Sequence, residues 1–153
     1  MSITFKVEDF DKGFAELVID MGAMRGAKIE TGLFTKAQAT KGVRAEFGST
    51  EEGVTTERAR PWLSIAADEG EPTIAAAMDV AVGNVSRGVK PKAALEAVAK
   101  ISTQLATDVI DQRRVGGPAL AESTVKRKGH NQKLVDTGKM RAGIQSRVRV
   151  RKS

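Results

Sequence analysis

The chain has 153 residues, of which 41% are hydrophobic and 29% charged, enough to bury one core and in keeping with a single globular domain over 1–153. Cysteine and tyrosine are absent and His130 is the sole histidine, so disulfides, thiolate metal sites and Cys nucleophiles are excluded, and most hydrolytic chemistry lacks its usual parts. The formal charge of +6 is uneven, with −4 over residues 1–112 and +10 over 113–153, a balance that suits nucleic acid, a membrane surface or an acidic protein as partner.

Ile3, Phe5 and Val7 alternate, which predicts a short strand over 3–7. Phe10, Phe14, Leu17 and Met21 then recur at helical spacing, so a helix is expected over 9–22, capped by Asp9 or Asp11 and ended by Gly22 or Gly26. Residues 28–34 alternate again and read as a strand. Residues 35–42 are small and polar and read as an exposed loop, and 43–47 as a short extended piece. Residues 48–60 are charged and without period, and are expected to form a long loop.

Pro61 fits the first position of a helix that Gly70 would stop, and Pro72 the start of another that ends at Gly88. Pro91 opens the longest predicted helix, to about Arg114, with Leu95, Val98, Leu105 and Val109 on its apolar stripe. Gly116-Gly117-Pro118 is a break, followed by a short helix over 119–128, a polar turn at 129–133 and a last short helix from Thr137 to Gly143. In 144–151 the residues Ile144, Ser146, Val148 and Val150 share one strand face, and Gln145, Arg147, Arg149 and Arg151 the other.

No apolar run approaches the roughly 18 residues of a membrane-spanning helix, and the first residues lack a signal-peptide pattern. Leu134-Val135-Asp136-Thr137-Gly138 matches the aspartic-protease motif, but that chemistry needs two carboxylates and a large sheet after the motif; only 15 residues follow Gly138. Helix capping by Asp136 and Thr137 is the simpler reading. Gly138-Lys139 lacks the upstream glycine and following Ser or Thr of a phosphate loop. Glu51, Glu52 and Glu57 match no metal loop, so neither metal nor cofactor is expected. Trp62 is a candidate anchor, for the core or for an interface. The basic residues Lys126, Arg127, Lys128, Arg147, Arg149 and Arg151 could track phosphates or meet an acidic protein; no aromatic lies beyond Trp62 to stack on bases, so any nucleic-acid contact would be unspecific.

Three patches, in order, carry a resemblance. The first is the strand Ile29-Glu30-Thr31-Gly32-Leu33-Phe34. The second is Arg44-Ala45-Glu46-Phe47-Gly48-Ser49 with Arg60-Pro61-Trp62-Leu63 after a loop. The third is Gly117-Pro118-Ala119-Leu120-Ala121-Glu122-Ser123-Thr124-Val125-Lys126-Arg127-Lys128-Gly129, then Leu134-Val135-Asp136-Thr137-Gly138-Lys139-Met140-Arg141-Ala142-Gly143-Ile144. Over roughly 29–150 the chain resembles the tail-completion, or neck, proteins of tailed bacteriophages, also described as head–tail connector or minor tail components. Trp62 stands where that family has Phe, Ser49 where it has Thr, and Lys133 where it has Pro.

The resemblance implies a structural virion protein, not an enzyme. It would be made in the host cytoplasm and form a homo-oligomeric ring at the head–tail junction. Its partners would be portal or connector adaptor proteins, a tail terminator or tail tube protein, and DNA passing through the channel. Glu46, Phe47, Gly48, Arg60, Pro61, Trp62, Leu134, Val135, Asp136, Thr137 and Gly138 are then the expected protein-interface residues. An alternative is a DNA-binding accessory protein acting through the basic C-terminal segment. The expected fold is α+β: a small antiparallel or mixed sheet from about 3–7, 28–34, 43–47 and 144–151, packed by helices 9–22 and 91–114.

Overall fold

A computed structural model describes residues 8–52, 54–135 and 138–150. The predicted strand at 3–7, Asp136, Thr137 and Arg151 lie outside the described residues. The fold is a small α+β arrangement, dominated by helices α1 (Glu8–Arg25), α3 (Leu63–Ser86) and α4 (Pro91–Asp111). Strands β1 (Lys28–Leu33) and β4 (Ile144–Arg149) form an antiparallel pair that lies on α4. The register sets Ile29 opposite Val148 and Leu33 opposite Ile144.

Two long helices organise the core. α3 and α4 are antiparallel neighbours joined by a short turn at 87–90, with Pro91 at the first turn of α4, where a missing N–H costs nothing. One apolar cluster gathers Met24, Ala81, Val85, Ala94, Leu95 and Val98, with Ile29 and Val148 against it. The other gathers Trp62, Ala66, Ala106, Val109, Ile110, Val115 and Ile144. Between sheet and helix a short polar chain closes: Thr31 Oγ1 and Thr103 Oγ1 each lie 2.7 Å from Ser146 Oγ. That chain gives the half-buried Thr31 and Ser146 hydroxyls their partners, while Thr103 Oγ1 also bonds Ala99 C=O at 3.1 Å. The alternation predicted for 144–150 holds, since Ile144 is buried, Val148 packs on the core, and Gln145, Arg147 and Arg149 are exposed.

Several expectations are corrected. Residues 35–47 are neither loop nor strand but helix α2 (Lys36–Phe47). Thr35 caps it: its hydroxyl oxygen accepts from Gln38 N–H at 3.4 Å, and the hydroxyl donates to Gln38 Oε1 at 2.8 Å. The inner face of α2 carries small residues, Ala39, Gly42 and Ala45, so no large apolar stripe advertises the helix. A Cβ at Gly42 would lie 2.7 Å from Leu33 Cδ1, so the missing side chain is what lets α2 approach β1.

The expected loop at 48–60 contains an antiparallel hairpin, β2 (Ser49–Glu51) and β3 (Val54–Glu57), closed by the pair Glu51–Val54 and bulged at Ser49/Thr50. The expected stop at Gly70 and restart at Pro72 do not occur; α3 runs through both. Gly70 is buried instead because a Cβ there would sit 2.7 Å from Leu105 Cδ1 on α4. Packing against α4 on both sides of Pro72, by Ala66 and by Ala81 and Val85, outweighs the lost hydrogen bond. The two short helices expected in the last third are present, as α5 (Glu122–Lys128) and α6 (Lys139–Ala142).

Candidate assembly site at the motif junction

The sequence patches far apart in the chain meet at one place. Glu46, in the last turn of α2, turns its carboxylate onto the first turn of α3. Oε2 accepts from the backbone N–H of Trp62 at 2.8 Å and of Leu63 at 3.0 Å; Oε1 accepts from Ser64 N–H at 3.1 Å and from the Ser64 hydroxyl. Trp62, the residue at the cap position, has no side chain suited to capping, so a carboxylate from another helix does that work. Partial burial pushes the Glu46 carboxyl up. The Ser64 hydroxyl and the three backbone N–H groups together outweigh that push, and it titrates below its ordinary value of 4.5.

The next links are backbone contacts. Gly48 ends α2 at φ 76°, donating to Arg44 C=O at 2.8 Å, and a Cβ there would strike Glu57 C=O at 2.7 Å. Arg60 N–H donates to Ala45 C=O at 2.6 Å, and Gly116 N–H to Pro61 C=O at 2.9 Å. At Gly117, φ is 75° and a Cβ would lie 2.1 Å from Ala59 C=O. The Gly116-Gly117-Pro118 break is therefore a place of close approach to the Arg60-Pro61-Trp62 segment as well as a turn. Lys133, where the resembled family has Pro, reaches back with its ammonium to Val115 C=O and Gly116 C=O at 3.1 Å and Gly117 C=O at 2.6 Å. Gln132 Nε2 adds a bond to Ile110 C=O at 3.0 Å, satisfying a carbonyl at the end of α4.

The expected interface residues divide by exposure. Trp62 is 2% exposed and sits in the core, so its indole anchors this chain rather than a partner. Leu134 and Val135 pack partly buried against the same cluster. Pro61 lies on Gly116, and Gly138, at φ 73°, precedes α6. Phe47, by contrast, is 77% exposed, and Val43, one turn earlier on α2, is 58% exposed. Together they offer an apolar surface beside the junction.

The basic residues do not form one face. Lys126 and Arg127 are exposed on α5, and Lys128 Nζ donates to Gln132 C=O at 2.9 Å. Arg147 and Arg149 stand on the outer face of β4, where the Arg147 guanidinium lies 3.9 Å from the Phe34 ring centre and Arg149 pairs with Glu30 at 3.2 Å. A third basic feature escaped the sequence reading. A cleft of about 780 Å³ opens between α2, the segment after β3, α5 and α6, with Lys41, Arg44, Arg58, Arg60, Lys128 and Lys139 on its walls. These residues come from a stretch whose net charge is acidic and from the basic tail, so no local run marks them.

Among the described residues no group of three or more His, Asp or Glu is placed to hold a metal ion, and no helix is long and apolar enough to cross a membrane. In comparisons with known proteins, no family model, curated protein or solved structure matches this chain.

Proposed function

We propose that this chain is a structural protein of the tailed-phage neck, assembling as a ring that joins the DNA-filled head to the tail and acting through protein contacts rather than catalysis. One observation carries the reading beyond the sequence resemblance. The motif segments 46–48, 60–63, 116–118 and 134–135, spread over about 90 residues, converge on one junction, the first three through hydrogen bonds and the last through packing. Segments recognised in order along a chain and joined in space behave as parts of one structural unit. Beside that unit, Phe47 and Val43 supply exposed apolar surface of the kind that interfaces bury. The role assigned to Leu134 and Val135 is packing of the junction.

The test is localisation. Electron cryo-microscopy of particles containing this chain is expected to show a closed ring of density at the head–tail joint into which α3 and α4 fit. Density for the chain elsewhere in the particle, or none, contradicts the proposal.

A second reading, DNA binding through the basic C-terminal segment, draws on the exposure of Lys126, Arg127, Arg147 and Arg149. It predicts binding to duplex DNA that falls steeply with salt and is lost when Arg147, Arg149 and Arg151 are all replaced by Gln. Undiminished binding by that variant removes it.

A further inference from the structure

We propose that the basic cleft beside the junction receives the acidic β2–β3 hairpin of a second copy of this chain; the inference rests on the ring reading and specifies its contact. Among the described residues, five of the six cations on the cleft walls, Lys41, Arg44, Arg58, Arg60 and Lys139, have no carboxylate partner, and Glu57 is the single acid that lines the cleft. Arg60 Nε, like Trp62 Nε1, is buried with no hydrogen-bond partner among the described residues. The floor is apolar, with Ala37, Ala45, Leu134 and Met140. The fitting occupant therefore carries carboxylates together with a small apolar side chain.

The hairpin has that composition. Glu51 and Glu52 stand exposed at its turn, and Val54, opposite Glu51, is 67% exposed. Its two strands pack on each other far more than on any other element. A two-stranded ribbon of three and four residues is marginal alone in water, so a neighbouring surface gives it stability that its own chain does not. At about 3.3 Å per residue it projects roughly 10 Å, enough to enter a cleft of this size. A phosphate backbone would use the cations but would leave the apolar floor without a partner, and it would not account for the unpacked hairpin. Donor and acceptor surfaces on every copy are what a repeating assembly requires.

The absence of cysteine makes a clean test. A Glu52→Cys chain mixed with a Lys41→Cys chain under mild oxidation is expected to give a crosslinked heterodimer at least ~10-fold above a control pairing Glu52→Cys with Lys100→Cys on α4. Adding Glu51→Lys to the first chain or Arg44→Glu to the second should return the yield to control, and adding both should restore it by reversing the charge pair. All five substituted positions are exposed, so circular dichroism should be unchanged.

A yield equal to the control, or one indifferent to charge reversal, overturns the proposal. So does an equal yield with a cleft that binds a short DNA duplex and loses it on Lys41→Glu/Arg44→Glu, which would make the cleft a nucleic-acid site. Failure here is distinct from failure of the neck reading. Without crosslinking, a joint that still fails when the gene is removed overturns the hairpin contact alone. Normal particles without the gene overturn the neck reading, whatever the crosslink shows.

Discussion

The α3–α4–β1–β4 frame and the motif junction are held together by opposite means. The frame, apart from the close approach of Gly70 to Leu105, is filled: Leu95, Val98 and Val85 are each 1% exposed, and large side chains recur at helical and strand periods. The junction is emptied: Gly42, Gly48, Gly116 and Gly117 stand where any Cβ would strike a neighbour, and backbone groups and one carboxylate make the bonds. Removing atoms should therefore damage the frame, and adding them should damage the junction.

The largest effect expected from that contrast is in the frame. Leu95→Ala should lower stability by about 3 kcal/mol in urea denaturation, because it leaves a cavity between α3, α4 and the sheet. Leu95→Met, which keeps the volume, should cost under about 1.5 kcal/mol, and an equal loss from both would break the account of the frame.

In the junction a single methyl should suffice. Gly117→Ala combines a left-handed backbone with a contact against Ala59 C=O and should cost about 2–3 kcal/mol. A neutral result would mean that the 116–118 and 59–61 segments can separate.

Glu46→Ala should cost about 2 kcal/mol, as it leaves the first N–H groups of α3 without their acceptor. The same carboxylate sets a pH dependence. Its folded-state value lies below the ordinary 4.5, so the unfolded chain takes up the proton first. Its contribution is full above about pH 4.5 and is lost as pH falls through the depressed folded value. The acid limb of a stability–pH curve should be shallower in Glu46→Gln than in the parent protein; identical limbs would remove Glu46 from the cap. The smallest effect belongs to Phe47→Ser, within about 0.5 kcal/mol, since that ring is exposed. A large loss of stability there would mean that the ring supports the fold rather than a partner.

What could be read from the sequence follows the same division. The stripe of α4, strand β1 and the two faces of β4 were legible because large apolar side chains recur at the period of the element. Helix α2 was missed because its inner face is the small residues Ala39, Gly42 and Ala45; the signal available was Thr35 as N-cap, three residues before Gln38. The hairpin was missed because it is polar on both faces. Its marks were the β-branched Thr50, Val54 and Thr55 on either side of Glu52-Gly53 in the sequence. Gly70 and Pro72 signal a break in local terms, and tertiary packing on α4 overrides them.

At the site, Glu46, Arg60, Pro61 and the Leu134 segment were named from the resemblance. What Glu46 does among them, capping the first turn of α3, follows from contacts that no spacing reveals. The basic cleft was not legible at all, because its charges are supplied one or two at a time by four separate segments.

The most direct measurement of the central claim is electron microscopy of particles produced when the gene for this chain is deleted. Full heads and finished tails that remain separate, and that join once the chain is supplied, are the predicted result. Normally joined, infectious particles in its absence would contradict the account.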